Sequence, residues 1–479
     1  MREIGSLVWW QIPEAGWLAF GCVLLVIQIL SKESSAFLKV GCLSLFGFIL
    51  FLGASFFWPN GWLGLNLSGH YLLDGVAIFF KRLFLGIGLF VTLMAIRGES
   101  RQISQRSEFF ILIWFAIGAM GFLSSIQDLT TLFVSLELVT VTFYVLVSFY
   151  RHHTASVEAG VKYLVLGALS TGCLVYGIVY LFGNTRSLDF FRIGEVIAQQ
   201  SPTMGLGLGV LLILVGVGFK IGVVPFQWWI PDVYQGAPTP VAALLAVASK
   251  AAGFAVLWRL LTGPFSSLVP LLTPALQVAA ILSILFGSLG ALAQHEVKRL
   301  MGYSSISHAG FLLIGFIANG SNPSPAVLFY LSVYSIATLA IFSVINEVSE
   351  LLGGTQFSKF NGLAKRHFGA ALALTIGMVS LAGIPPLAGF WGKWFIFWEA
   401  WQSGYSILVI VGAFGAFISI YYYLALVRSL FFEEPLEESV PIRLSFLSQT
   451  AIYILILASL GLGIFPGMLS QVVRLTLTP

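Results

Sequence analysis

Charge is scarce in these 479 residues: 24 basic and 20 acidic side chains make up 9% of the chain, against 58% hydrophobic residues. Soluble domains carry about 25% charged residues, so a water-soluble globular fold is excluded. Cysteine is nearly missing too. The three present, Cys22, Cys42 and Cys173, stand singly inside apolar runs without metal-ligand spacing, which excludes a disulfide framework and reads as buried small hydrophobes. Period-two alternation is absent, and the apolar runs instead continue over about twenty residues, which excludes a β-barrel and fits membrane-spanning helices. No phosphate-binding glycine pattern, nucleophile triad or metal set occurs, and His152 and His153 fall in a loop. A net charge of +4 with no basic patch gives no reason to expect a nucleic-acid partner. The N-terminus, MREIGSLVWWQIPEAGW, lacks a basic leader and a small-residue cleavage site, so the first apolar run reads as a permanent span.

What the sequence has in abundance is glycine and apolar length. Fifty glycines and eighteen prolines suit membrane helices, where neighbours satisfy the freed backbone groups. Spanning segments fall at 13–30, 37–58, 72–96, 108–126, 129–150, 160–182, 205–224, 238–262, 273–294, 302–318, 324–346, 369–401, 405–427 and 447–466, which makes an all-α polytopic protein of about 14 transmembrane helices. With both termini outside, the inner loops collect about twice as many basic residues, Arg151, Lys162, Lys298 and Arg299 among them, as the outer side, where Lys81, Arg82 and Arg259 fall. The glutamate-rich run 431–443 reads as a solvated inner linker, and 186–200 as a surface helix in the outer interface.

Four charges resist assignment to loops or helix ends: Glu137, Lys220, Lys250 and Lys393. Snorkelling along the belt of Trp391, Trp394 and Trp398 partly accounts for Lys393, but Lys220 and Lys250 are flanked by apolar residues on both sides. Desolvation weakens an amine's hold on its proton and a nearby carboxylate strengthens it, so a Glu137–Lys220 pair with Lys250 as acceptor is chemistry for a proton relay. Pro225 must interrupt the helix of Lys220, and Pro385 and Pro386 interrupt a second long span. Paired broken spans point to ion sites at mid-membrane in inverted repeats. The expected organisation is therefore a three-helix segment (1–107), a five-helix repeat of helices 4–8 (108–262), a second, inverted repeat of helices 9–13 (263–428), and a last loop and helix (429–479), with helices 7 and 12 discontinuous. VSLELV around Glu137 aligns weakly with SSISHAGF, which makes His308 the relay counterpart in the second repeat.

The strings GFKIGVVPFQWWIPDVYQGAPTPVAALLAVASKAAG, LELVTVTFYVLV, VKRLMGYSSISHAGF and PPLAGFWGKW resemble the antiporter-like membrane subunits of respiratory complex I, the NADH-quinone oxidoreductase, over nearly the whole chain. The resemblance implies the two inverted repeats and a hydrophilic axis along the membrane plane. It makes Glu137 the fifth-helix glutamate, Lys220 the lysine of broken helix seven, Lys250 that of helix eight and Lys393 the residue of broken helix twelve. Lys393, where M-type members carry glutamate, and the short stretch after the last span, where L-type members carry a lateral helix, favour the N type. Gln227 departs from the histidine many relatives hold after the first break, and glutamine cannot titrate.

By this resemblance the chain is a translocase subunit of a bacterial inner membrane, less readily of a thylakoid. It binds no cofactor itself, while FMN, iron-sulfur clusters and quinone belong to other subunits. Its partners would be M-type and small membrane subunits, lipids, protons and, indirectly, the hydrophilic redox arm. Two other readings share the residues: a subunit of a multisubunit cation/proton antiporter or hydrogenase-type complex, and a scaffold whose charges only pin helices.

Overall fold

The structure, a computed structural model, describes residues 12–31, 33–58, 65–67, 70–97, 107–199, 203–320, 324–435 and 444–477. The expectations on the extreme N-terminus and on most of the glutamate-rich run 431–443 lie outside the described residues. In order the helices are α1 (Pro13–Leu30), α2 (Glu33–Ser55), α3 (Gly75–Arg97), α4 (Glu108–Ser124), α5 (Leu129–Val147), α6 (Thr154–Thr185), α7 (Phe190–Gln199), α8 (Met204–Ile221) and α9 (Trp229–Gly236). The span Thr239–Thr262 follows as α10 (Thr239–Leu244), a π-helical turn (Leu245–Ser249) and α11 (Lys250–Thr262). Then come α12 (Val269–Leu292), α13 (Val297–Ala318), α14 (Pro325–Leu352), α15 (Phe357–Phe360), α16 (Leu363–Arg366), α17 (Phe368–Ala382), α18 (Ala388–Gln402), α19 (Ser406–Phe432), α20 (Phe446–Ile464) and α21 (Pro466–Leu477). A two-stranded hairpin, β1 (Leu65–Leu67) with β2 (Tyr71–Leu73), precedes α3.

The chain is a multi-pass membrane protein. Among the described residues twelve helices are long and apolar enough to cross a bilayer, and α4 and α17 are shorter apolar helices. Each of the fourteen apolar segments contains a helix. Side-chain caps set several helix starts: Asp128 accepts from Thr130 and Thr131 N–H at 2.8 Å to open α5, and Glu296 accepts from Arg299 N–H at 2.5 Å to open α13. The span Thr239–Thr262 is buried except for Thr262, and α13 and α14 are nearly so, whereas α1, α2, α6, α12, α19 and α20 keep wide apolar faces outward. In a bilayer such faces meet lipid, and interior positions are spared for polar groups that find partners.

Two interrupted spans, α8–α9 and α17–α18, each stand fourth within 108–262 and 263–428 respectively. The loops joining successive spans define two ends of the molecule. One carries α7, the α4–α5 turn and Asp74. The other carries Lys162, Asp232 and Arg299, joined by ion pairs of 2.5–2.7 Å, and is the more basic.

Several sequence expectations change. Cys22 and Cys42 are exposed and Cys173 is half-buried, so they are not buried small hydrophobes. An apolar run in a membrane protein has a lipid-facing side as well as an inner one, and run composition does not separate them. Lys81, Arg259 and Lys298, assigned to loops or helix ends, are buried. Each lies within about two turns of a helix end, where sequence position alone reads as interfacial. The stretch after the last span is helical as α21. The surface helix expected within 186–200 is α7, which buries only Phe190, Ile193 and Ile197 among its ten residues.

Candidate functional site

The first break begins where α8 runs out beneath Lys220. Gly222 closes the helix in the left-handed region (φ 77°), its N–H donating to Gly218 O, and a β-carbon there would lie 2.1 Å from Ile230 Cδ1. Glycine adopts that turn without strain, and any side chain there would also have to displace Ile230. The ends are pinned by Val224 N–H on Ser283 Oγ at 2.9 Å and by Trp229 Nε1 on Phe219 O at 3.0 Å, and the Val224–Pro225 peptide between them is cis. Lys220 is buried in the last turn of α8, and its Nζ donates to Tyr163 Oη at 3.4 Å.

Glu137 on α5 is only half-buried and accepts from Thr171 Oγ1 at 2.6 Å. No ion pair joins it to Lys220. In this structure the expected pair is not in direct contact: Thr171 on α6 holds the Glu137 carboxylate on its own side of the site, and Tyr163 accepts from Lys220.

Lys250 stands directly after the π-helical turn, a feature often found at functional places in helices. Its Nζ donates to both the carbonyl and the hydroxyl of Ser305 on α13, and Ser305 Oγ also lies 3.3 Å from Tyr234 Oη. Tyr334 Oη donates to Ala246 O within the π-turn at 3.2 Å. One turn along α13, His308 is buried between two phenols, Nδ1 at 2.6 Å from Tyr330 Oη and Nε2 at 3.2 Å from Tyr423 Oη. Tyr423 also pairs with Ser304 Oγ. Lys250 meets Ser305 and Lys393 lies over the Phe311 ring, one turn to either side of His308 on α13, so His308 stands between them.

Lys393 does not snorkel. It is 5% exposed, and its Nζ turns into the second break, where it donates to Ala382 O at 3.0 Å and lies 4.8 Å above the Phe311 ring. An ammonium at the C-terminus of a half-helix meets unsatisfied carbonyls and the negative end of the helix dipole. The surrounding tryptophans line the outer face of α18 instead, Trp394, Trp398 and Trp401 being exposed. The two breaks are therefore not built alike: Lys220 lies on the first half of its span and Lys393 on the second half of its own. The Pro385–Pro386 peptide is cis, and Gly383 (φ 84°) ends α17.

Gln227 is buried with its Oε1 lacking a partner. Among the described residues no group of His, Cys, Asp and Glu could hold a metal ion. The structure thus brings Lys250, Ser305, His308 and two tyrosines into one polar row through α13, with Lys220 and Lys393 toward its ends. Sequence reasoning named the lysines and His308 and missed Tyr163, Ser305, Tyr330 and Tyr423. The alternation of serines with His308 in SSISHAG was the available signal for Ser304 and Ser305. The tyrosines gave none, because phenols are common in apolar helices.

Residues 126–419 match the family described as "NADH:quinone oxidoreductase/Mrp antiporter, TM". The chain belongs to this family. Among curated relatives, NADH-quinone oxidoreductase subunit N 1 of Opitutus terrae is 40% identical over 90% of this chain and 89% of its own. Subunit N of Desulforamulus reducens is 38% identical over 91% of both chains. Among solved structures, a chain of respiratory complex I from Thermus thermophilus with bound aureothin superposes with a TM-score of 0.81 at 32% identity, covering 96% of this chain and 98% of that one. A chain of the Mrp complex from a Dietzia species shares the fold, with a TM-score of 0.83 at 19% identity over 97% and 96% of the two chains. Within the antiporter-like family, the similarity is thus to N-type subunits, the type favoured by Lys393.

Proposed function

We propose that this chain is the N-type, proton-translocating membrane subunit of a bacterial NADH-quinone oxidoreductase, resident in the inner membrane. It works beside an M-type antiporter-like subunit and small membrane subunits. Electron transfer from NADH to quinone takes place on the FMN, iron-sulfur clusters and quinone of other subunits, and the chain itself contributes proton transfer. Its two interrupted five-helix segments, 108–262 and 263–428, are inverted repeats that share one polar axis, and the more basic end of the molecule faces the cytoplasm.

The carrying observation is the row Lys220, Lys250, His308 and Lys393, buried across both breaks, with His308 on α13 between the Ser305 that Lys250 meets and the Phe311 ring under Lys393. Intramembrane ionisable side chains are costly and cluster on ion pathways. Glu137 bears the opposite charge to Lys220, so its state is the lever on whether Lys220 keeps its proton. A proton released from Lys220 is taken up toward Lys250, whose Ser305 and Tyr234 hydroxyls both donate and accept. His308, between two phenols, passes it toward Lys393.

The test is Lys220→Met and Lys250→Met in the assembled complex, reading pumped protons per NADH oxidised. Loss of pumping with assembly intact on native gels supports the relay, and wild-type pumping in both variants refutes it. Loss of assembly in size-matched neutral variants would instead support a scaffold. Sodium- or potassium-dependent proton flux without a redox partner would move the assignment to a cation/proton antiporter.

A further inference from the structure

A second set of buried charges lies outside this row. Glu14 on α1 and Lys81 on α3 are fully buried and form an ion pair. Lys81 Nζ also donates to Ser125 Oγ at 2.5 Å, and to Ser124 Oγ and Gly121 O at 3.2 Å, all at the end of α4. Tyr71 Oη donates to Glu14 Oε2 at 2.9 Å. The approach is close, since a β-carbon on Gly121 would lie 2.6 Å from Glu14 Cγ. Arg259 joins the same turn through Nε on Ser124 O at 2.7 Å, while its two terminal nitrogens hold the Asp74 carboxylate at 2.6 and 2.7 Å.

This cluster lies between the α7 end of the molecule and the first break. Asp74 is 32% exposed, and Tyr71 follows His70, which is 67% exposed, so the cluster reaches the surface at the α7 end. On its inner side Leu123, the residue before Ser124, walls a cavity of about 10 Å³ that is also bounded by Lys220 and Ser249. That volume admits about one water. Ser249 is buried and its Oγ has no hydrogen-bond partner in the protein.

We propose that Glu14 and Lys81 are a proton-carrying station between Lys220 and the α7 end of the molecule, the place where protons of the first five-helix segment leave. The inference rests on the relay reading. The step balances without another reagent: the Lys81 ammonium gives one proton to the Glu14 carboxylate, leaving a neutral amine and a neutral acid. The amine then takes the next proton through the Ser124 and Ser125 hydroxyls, and Glu14 releases its own past Tyr71. A cluster needed only to fasten α1 and α3 to α4 would be served as well by apolar side chains, without desolvating two charges. Among the described residues, apart from the Gly121 carbonyl, each group hydrogen-bonded to the pair is a hydroxyl, which both donates and accepts.

The test is the double variant Glu14→Gln/Lys81→Met in the assembled complex, in which a neutral pair fills the same space. Intact assembly with fewer protons pumped per NADH is expected. Intact assembly with wild-type pumping would overturn the proposal and leave the cluster a fastening. Tyr71→Phe removes a single hydroxyl and guards against a folding defect in the double variant: lowered pumping with normal assembly supports the station, and unchanged pumping overturns it. Lys220→Met measured alongside separates the two ideas. Wild-type pumping there refutes the relay itself, whereas loss in Lys220→Met with none in Glu14→Gln/Lys81→Met refutes only the station.

Discussion

Gly389 is the residue on which the second break depends most tightly. A β-carbon at this position would lie 1.7 Å from Ser380 O, a backbone atom of the preceding half-helix α17. Carbon and oxygen approach to about 3.3 Å at closest, so Gly389→Ala forces α17 and α18 apart by roughly 1.6 Å. Lys393 lies one turn along α18, and its 3.0 Å hydrogen bond to Ala382 O spans the same gap. Widened by that amount it passes beyond about 3.5 Å, outside hydrogen-bond reach. Overpacking of this kind costs about 1–3 kcal/mol, and the obstacle here is backbone, which relaxes least. The control is Gly461→Ala in α20, where nothing lies within 4 Å of the added carbon. There the exchange removes a helix-interior glycine and is favourable by about 0.5–1 kcal/mol. Thermal unfolding of the purified complex and pumped protons per NADH read both variants. Gly389→Ala should lower stability and uncouple pumping, and Gly461→Ala should do neither. A Gly389→Ala complex with wild-type stability and pumping, and with Lys393 still on Ala382 in its structure, would refute the reasoning.

Other consequences are open to measurement. Tyr163→Phe removes a hydrogen bond of 3.4 Å, long for its kind, so pumping should fall by less than in Lys220→Met while assembly stays normal. An effect as large as the lysine's would mean that the phenol itself carries protons. Arg259→Met leaves the Asp74 carboxylate without its partner, and breaking such a pair costs about 3–5 kcal/mol when both groups are buried. With Asp74 about a third exposed, the lower end is expected in thermal unfolding. Burial pushes the Asp74 carboxyl up and Arg259 pulls it down by more, so it lies below the usual carboxylate range. Its contribution is therefore present above about pH 4, the unfolded value, and is lost as pH falls through the lower folded value. Asp74→Asn should accordingly destabilise at pH 7 and have little effect well below pH 4. An equal loss at both would contradict the ion pair's role.

The breaks and the buried lysines Lys220 and Lys250 were legible because their signals are local. A proline in a helix interior removes a hydrogen bond and kinks or breaks the span, and a charge flanked by apolar turns has nowhere else to go, so Pro225, Pro385, Lys220 and Lys250 could be read one residue at a time. Glu14, Lys81 and Arg259 could not. Each lies near enough to a helix end to pass for an interfacial charge, and only the packing of α1, α3 and α11 around the end of α4 turns them inward. The partial account of Lys393 as snorkelling failed for a related reason: its tryptophan neighbours in sequence line an outer face of α18. The distance between Glu137 and Lys220 was equally hidden, because it depends on how α5, α6 and α8 lie against one another, which no single helix encodes.

The π-helical turn at Leu245–Ser249 has an effect on everything after it. Such a turn holds one residue more than an α-turn, and each residue advances a helix by about 100°. Lys250 is the first residue downstream. Its azimuth is therefore offset by that angle from the one an unbroken helix starting at Thr239 would give it. Whether the ammonium meets Ser305 or points about 100° away from it is decided by a count of residues in the turn above it. Shortening that turn by one would re-aim the charge while leaving every polar side chain of the axis in the chain.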